Sequence, residues 1–399
     1  MNNKPYDYDV IIVGGGLAGL SLSCLLGGVD GLRVACLDRD TPEAQHKADE
    51  RTTAISYGSS QILARANVWD DMVAHGCPIK DIDILDGQSG VLLNFMSEEV
   101  EGKPFGWIIS NRHLRKCLMD KMKSFPNVDH VAPAEVVDFD VSDDFASVQL
   151  NDGGCLTARL IIGADGRRSA VRAFMDVDVR EWTYNQQAVV CFISHENPHN
   201  NCAVEHFWPE GPFAILPMQD DERGTHRSSL VFTEHKRARS QSLMGLGDVE
   251  FLEAVTARFP ERYGAIEVID NKRMAYPLSL THAAEYIAPR MALVADAAHG
   301  IHPIAGQGLN LGFRDMNTLS QLIERAYING EDIGGGDLLQ SYQRKRRPDN
   351  MAMVAVTDGL VRLFSNDMKV VKHARRFGLR AVSRMASAKK FFMRRAMGE

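Results

Sequence analysis

Three clusters of glycine and acid in this chain have the residue types and spacing to hold a large anionic ligand. The first is Gly14-Gly-Gly16-Leu17-Ala18-Gly19, lying between an apolar stretch and a helical one, with Asp38 and Arg39 following at the end of a second apolar stretch. In this spacing Gly14 permits a tight turn, Gly16 lets the backbone approach a pyrophosphate, and Gly19 lets helix and strand pack closely. The helix N-terminus offers N–H donors to the phosphates, and Asp38 can accept from a ribose diol, so the cluster reads as a dinucleotide site. FAD and NAD are not separated by it. The second cluster is Asp165-Gly166-Arg-Arg-Ser169-x-x-Arg172. Alone it is a turn into a Ser-capped helix, which many folds contain. The third is Val294-Ala-Asp296-Ala-Ala-His299, followed by Pro303-Ile-Ala-Gly306-Gln307-Gly308-Leu309-Asn310. Here a buried strand delivers a carboxylate, and a loop with two glycines delivers a helix N-terminus that would face an anionic or electron-rich ligand. Each has a plain structural reading. Three strand-end clusters in one chain, each with a glycine where backbone can approach a ligand, point to one large cofactor.

The elements that must position these residues follow from hydrophobic periodicity. A strand over 9–13, a helix over 20–26 and a strand over 32–37 make a parallel βαβ unit. A helix is predicted over 59–75, then β-like alternation over 77–107, and a helix over 111–124 with Leu114, Leu118 and Met122 on one face. An apolar run ends at Asp165, residues 181–277 are mostly strand-like with a helix near 249–259, and a buried strand over 291–295 precedes the third cluster. A helix then runs to about residue 329, and 337–398 reads as helical throughout. The expected fold is α/β, with a Rossmann-like dinucleotide domain (1–76, 108–180, 270–355) interleaved with a β-rich substrate domain (77–107, 181–269), and a C-terminal helical region over 356–399.

Composition bounds the alternatives. With 399 residues, 45% of them hydrophobic and 24% charged, the chain is a folded protein of two or three domains, neither disordered nor fibrous. Seven dispersed cysteines without a C-x-x-C pair read as buried thiols of a reducing compartment. With no apolar signal segment and no membrane-length apolar run, the expected address is the cytoplasm. The net charge of −7 divides into +9 over 368–399 and −16 over the rest. An acidic body argues against nucleic acid. Within the basic tail, Val371, Ala374, Phe377, Ala381, Met385 and Ala388 recur at helical steps, so its apolar face either docks on the acidic body or meets an anionic membrane surface or a partner in a biosynthetic complex. His195, His199, Cys202 and His206 have metal-like spacing, but in a polar loop, and are read as no metal site. No G-x-S-x-G elbow is present to carry hydrolase chemistry.

Together, G-x-G-x-x-G, G-A-D-G-x-x-S-x-V-R and D-A-A-H with P-x-x-G-x-G-x-N resemble the flavin-dependent aromatic hydroxylases of the p-hydroxybenzoate hydroxylase class. Residues 302–315, with 110–115, 210–217 and 275–278, more specifically resemble the ubiquinone-biosynthesis hydroxylases, the UbiH/UbiF/VisC group. The resemblance spans essentially the whole chain up to the basic tail. It implies that the 14–19 turn and Asp38 hold the ADP half of FAD, that Arg51 and Arg112 lie along the ribityl and pyrophosphate, and that Asp296 binds the ribityl hydroxyls. It further implies that Asp165 and Gly166 contact FAD and NAD(P)H, and that Gly306 to Asn310, with Pro303, face the flavin N1/C2=O edge. Reduction places negative charge on that edge, and a helix N-terminus stabilises it. The implied reaction uses NAD(P)H and O2 to hydroxylate an electron-rich phenol through a flavin C4a-hydroperoxide, in a site that excludes water. Phe213, Ile215, Leu216 and Pro217, with Tyr276, Pro277 and Leu278, are candidates to wall the pocket for a polyprenylated phenol, and would equally suit a core. Two positions depart from the family: Asp38, more often Glu, and Ala295, usually Gly. A flavoenzyme acting on another small aromatic, or a catalytically silent flavoprotein subunit, remains an alternative.

Overall fold

The structure is a computed structural model that describes every residue except 1–5, 48, 50, 236–241, 302–305 and 365–367. Pro303 therefore lies outside the described residues. Five strands form a parallel core in the order Met291–Leu293, Cys155–Gly163, Tyr8–Val13, Val34–Leu37, Val128–Val131. Val10, Ile11, Ile12, Ile161 and Leu293 are fully buried, which is why these strands are continuous apolar runs and not alternating ones. Val13 pairs with both Leu37 and Gly163, and Gly163 pairs with Leu293, so four strands end level. Gly14, Asp38, Asp165 and Asp296 thus leave the carboxyl edge of one sheet, where ligands of such folds bind. Helix Leu17–Gly27 packs against Asn111–Lys123 and Gln307–Ile328.

A second, nine-stranded sheet includes Val179–His195, Cys202–Trp208, Gly211–Met218, His226–His235 and Met274–Ala283, with Asp81–Asp86 and Leu93–Met96 added at one side. Met274–Ala283 pairs along Val179–His195, from Val190 opposite Met274 to Val179 opposite Ala283. The second sheet therefore starts slightly before residue 181 and continues past 269, where the sequence reading put its limits. A small sheet of Thr52–Ser56, Gly106–Ser110 and Cys77–Ile79 lies between the two. The predicted helix over 59–75 is two helices, Tyr57–Arg65 and Trp69–Val73, separated where Asn67 takes φ 53°. Asn tolerates that left-handed conformation better than most residues. The seven cysteines are free, five of them buried, and burial pushes the Cys24 and Cys36 thiols up to about 12.

The C-terminal region forms helices Gly336–Phe364, Lys369–Arg384 and Ala386–Met397. Its tail docks on the body. Arg375 and Arg376 both bond the buried carboxylate of Asp86, at 2.5 and 2.7 Å, and Lys389 pairs with Glu99. Met393 and Met397 are buried in a cluster with Phe95, Phe105 and Ile108. Among the described residues no helix is long and apolar enough to cross a membrane.

Candidate active site

One cavity of about 1290 Å³ is walled by all three regions. The dinucleotide domain contributes Gly16, Leu17, Ala18, Arg51, Asp296 and Gly306 to Asn310; the second sheet contributes Ala203, Leu216, Val231, Tyr276 and Leu278; the C-terminal helices contribute Leu360, Phe364, Leu379 and Val382. Of the two placements the sequence leaves open for the tail, the structure shows the docked one, and it makes the tail part of the cavity wall.

The glycine turn has a different requirement at each position. Gly14 has φ +107°, and a Cβ there would lie 2.7 Å from the Ala164 carbonyl oxygen. A Cβ on Gly19 would sit 1.8 Å from the Gly14 oxygen, so the helix could not approach the strand. At Gly16 a Cβ would meet no atom within 4 Å, and this residue lines the cavity at an uncapped helix N-terminus. Asp38 accepts the Gly15 N–H at 2.7 Å and the Asp40 N–H at 2.9 Å. It does not line the cavity, and Arg39 is exposed.

Four arginines line the cavity: Arg51, Arg115, Arg167 and Arg375. Arg51 makes a bidentate pair with Asp49, both bonds 2.8 Å, and its guanidinium lies 4.9 Å from the centre of the Tyr276 ring, joining the first domain to the second. Burial would raise the Asp49 pKa, but Arg51 outweighs it and holds the carboxyl below its ordinary range. Arg115 lines the cavity and donates to the Gly15 carbonyl at 3.0 Å. Arg112, named from the sequence, is exposed and lies off the cavity wall. The signal for Arg115 was its spacing: it follows Asn111, another cavity residue, by four positions, and so shares its helix face.

Asp165 uses one oxygen to cap helix Ala170–Phe174, accepting from Ala170 at 2.6 Å and Val171 at 3.2 Å. Its other oxygen is buried without a partner, and burial raises its pKa. Gly166, with φ +80°, lines the cavity, while Asp165 does not. Asp296 lines it too and lies 3.5 Å from Arg167. Gly306 takes φ +62° at the start of helix Gln307–Ile328. Asn310 pins this helix start to the neighbouring strand, accepting from the Ser56 N–H at 2.9 Å and donating to the Ala54 carbonyl at 2.8 Å. The first-turn N–H groups of the helix, at Gln307 to Leu309, have no intrahelical acceptor and belong to cavity residues.

The substrate wall is shifted by one residue from the sequence reading. Leu216, Tyr276, Pro277 and Leu278 line the cavity, with Pro212 and Ala214. Phe213 and Ile215 face the opposite side of the sheet, packed with Phe251, Val255 and Phe259, and Pro217 is buried outside the cavity lining. Successive strand residues alternate between faces, so an unbroken apolar run does not say which set faces the ligand. The metal-like residues serve locally: His195 bonds the Asn197 carbonyl and Ser228, His199 the Met218 carbonyl, and His206 the Gly87 carbonyl.

Sequence reasoning missed the support beneath the third cluster. Asp315, fully buried, accepts from His299 at 2.5 Å, from Arg346 at 2.8 Å, from Asn350 at 3.0 Å and from the Ala295 N–H at 3.2 Å. It thereby holds the backbone just before Asp296. Ala295 itself has φ 52°, and its methyl lies 2.7 Å from where a Cβ on Gly312 would be. Replacing Ala295 by Gly removes left-handed strain of roughly 1 kcal/mol, partly offset by the freer unfolded chain. Ala295→Gly is accordingly expected to raise the melting temperature by about 1–2 °C, as read by a thermal melt. A lowered melting temperature would contradict the strain.

This fold and rim of backbone donors are those of an FAD-binding protein of the aromatic-hydroxylase fold. Comparison with known proteins agrees: the FAD binding domain family matches residues 7–357. Ubiquinone hydroxylase UbiL of Rhodospirillum rubrum is 42% identical over 98% of this chain and 89% of its own length. The 3-demethoxyubiquinol 3-hydroxylase of Escherichia coli is 31% identical over 100% of both chains. The crystal structure of p-nitrophenol 4-monooxygenase PnpA from Pseudomonas putida DLL-E4 superposes with a TM-score of 0.80 at 18% identity, covering 98% of each chain. The chain belongs to the FAD-dependent monooxygenase family, in the group of ubiquinone-biosynthesis hydroxylases. The residues present fit FAD, since Gly16 leaves the space that a pyrophosphate needs beside an uncapped helix N-terminus.

Proposed function

We propose that this protein hydroxylates the aromatic ring of a polyprenylated phenol or quinol on the route to ubiquinone, using FAD, O2 and a reductant, with NAD(P)H the expected donor. The observation that carries the reading is the continuity of one cavity from the glycine turn and the 306–310 helix start, across an apolar sheet, to the C-terminal helices. FAD, when bound, would supply the oxygen activation by which one atom of O2 enters the ring and the other leaves as water, with the two electrons coming from the reductant. In this reading Gly16, Arg115, Asp296 and the 306–310 backbone hold the cofactor, the 308–310 helix start supports negative charge on it, and the sheet excludes water from the ring. Ala203, Leu216, Val231 and Leu278 provide the apolar wall, and Leu360, Phe364, Leu379 and Val382 provide room for a prenyl chain. Deleting the gene and measuring quinone intermediates by mass spectrometry tests it: a prenylated precursor lacking one ring hydroxyl is expected to accumulate. An unchanged quinone pool overturns the assignment.

The finer reading places the protein at the surface of the inner membrane. The docked tail leaves Val370, Phe377 and Phe391 exposed at 77%, 76% and 55%, interspersed with exposed Arg380, Arg384, Lys390 and Arg394. Exposed basic and large apolar side chains along helices Lys369–Arg384 and Ala386–Met397 would complement an anionic bilayer. Phe377→Ser with Phe391→Ser is expected to weaken partitioning to anionic liposomes a hundredfold or more, read by co-sedimentation, since each buried phenyl contributes about 1.5–3 kcal/mol. Equal pelleting of the variant and the original removes the lipid contact.

A further inference from the structure

Over the substrate sheet the cavity wall is mostly apolar: Ser229, Thr233 and Tyr276 bring hydroxyls to it, and one position brings a carboxyl. Glu205, in the strand Cys202–Trp208, lines it, and its neighbours across the two adjoining ladders are Ala214 and Ile84, both apolar. Eight described cavity residues are ionisable, and seven have partners. Asp49 and Arg51 hold each other, as do Asp296 and Arg167. Arg115 holds the Gly15 carbonyl, Arg375 holds Asp86, and the Tyr276 hydroxyl meets Met274 Sδ. Glu205 alone among them has no hydrogen-bonding or ionic partner among the described residues. An enclosed carboxyl without a partner is costly, and a Leu or Val at that strand position would fit the wall without cost. Burial alone pushes this carboxyl up to about 7, with no compensating group named. Such a residue marks the place where a ligand, and not the protein, completes the hydrogen bonding.

We propose that the Glu205 carboxyl is the carboxylate contact of the substrate pocket, accepting a hydrogen bond from a ring hydroxyl of the aromatic substrate and so orienting the ring within a mostly apolar wall. The inference rests on the reading of the cavity as a phenol site. Apolar side chains hold a ring and a prenyl chain but cannot fix rotation of the ring in its plane, and the Ser229 and Tyr276 hydroxyls already meet Thr52 and Met274. A hydroxyl bonded at one point fixes it, and thereby decides which ring carbon is presented for hydroxylation. Glu205 is a specificity residue in this scheme. The ligand class is an aromatic ring with at least one free hydroxyl and an apolar substituent.

The test is equilibrium binding of a 2-prenylphenol and of its methyl ether to the FAD-loaded protein at pH 8, followed by perturbation of the bound flavin absorbance. At that pH the carboxylate can accept a hydrogen bond from the phenol but has nothing to accept from the ether. The unaltered protein is expected to prefer the phenol by tenfold or more. Glu205→Leu is expected to bind both within about twofold of each other, because the preference disappears with the carboxylate. Glu205→Gln, which keeps the shape and can both donate and accept, is expected to retain phenol binding within about tenfold while narrowing the preference. A Glu205→Leu protein with normal FAD content that still prefers the phenol by the original factor overturns the inference while leaving the phenol site standing. An unaltered protein that binds neither compound overturns the phenol-site reading, and the inference with it.

Discussion

Gly16→Val is expected to leave the flavin-free protein nearly as stable as the original while weakening FAD binding by tenfold or more. Both halves follow from the same geometry. Gly16 has φ −70° and ψ −176°, an extended conformation that any residue adopts, and a Cβ there meets no protein atom within 4 Å. The Cβ of valine therefore introduces neither strain nor a clash, and the change in stability, including the poorer N-cap, should stay within about 1 kcal/mol. The space its side chain fills is the space a pyrophosphate needs at the helix N-terminus. Gly14→Ala supplies the contrast. At φ +107° and with a Cβ 2.7 Å from backbone atoms, it is expected to destabilise the protein with or without flavin. Thermal melts of the flavin-free proteins and titration with FAD, followed by quenching of its fluorescence, separate the two. Gly16→Val binding FAD within twofold of the original would mean that the pyrophosphate does not pass this residue.

How much of this was legible in the sequence depended on whether a pattern reports backbone or side-chain direction. The glycine turn was readable because its requirements are local: each glycine answers to a neighbouring backbone atom or an opening beside it. The level ending of four parallel strands was readable in outline, because continuous apolar runs closing on Gly14, Asp165 and Asp296 are what strands buried on both faces look like. The substrate wall was not. In Gly211–Met218 both faces are apolar, one toward helix Asp248–Thr256 and one toward the cavity, so alternation carried no sign and Phe213 and Ile215 were assigned to the wrong side. Glu205 broke the apolar pattern of its strand, yet a single acid in a strand reads as a solvent-facing residue until a second layer covers it. The tail was also ambiguous. Its helical period was plain, but Arg375 and Arg376 find their shared acid 289 and 290 residues earlier in the chain, a distance no local pattern spans.

Asp315→Asn is expected to destabilise the folded protein by about 3–5 kcal/mol and to weaken FAD binding, although this residue does not line the cavity. The carboxylate is fully buried and accepts from four donors, including Arg346, whose side chain is 8% exposed. Removing its charge leaves the buried guanidinium with only the part-exposed Asp349, at 2.8 Å, as a counter-charge, a larger loss than that of one neutral hydrogen bond. The effect reaches the site because the Ala295 N–H is one of the four donors. Without that acceptor the left-handed residue at 295 loses a restraint, and Asp296 is no longer held at the cavity. Burial by itself would raise the Asp315 pKa, but His299 and Arg346 outweigh it and hold it below the ordinary value of 3.8. Its contribution to stability is therefore present above pH 3.8 and lost as pH falls through the lower folded value. The Asp315→Asn protein should accordingly show a flatter decline in stability than the original on acidification below pH 4. A double-variant cycle gives the decisive measurement: Asp315→Asn combined with Arg346→Gln is expected to cost less than the sum of the two single changes, because each removes the same buried pair. Additive losses would show that the two side chains act independently, and the support beneath Asp296 would then have to come from His299 and Asn350.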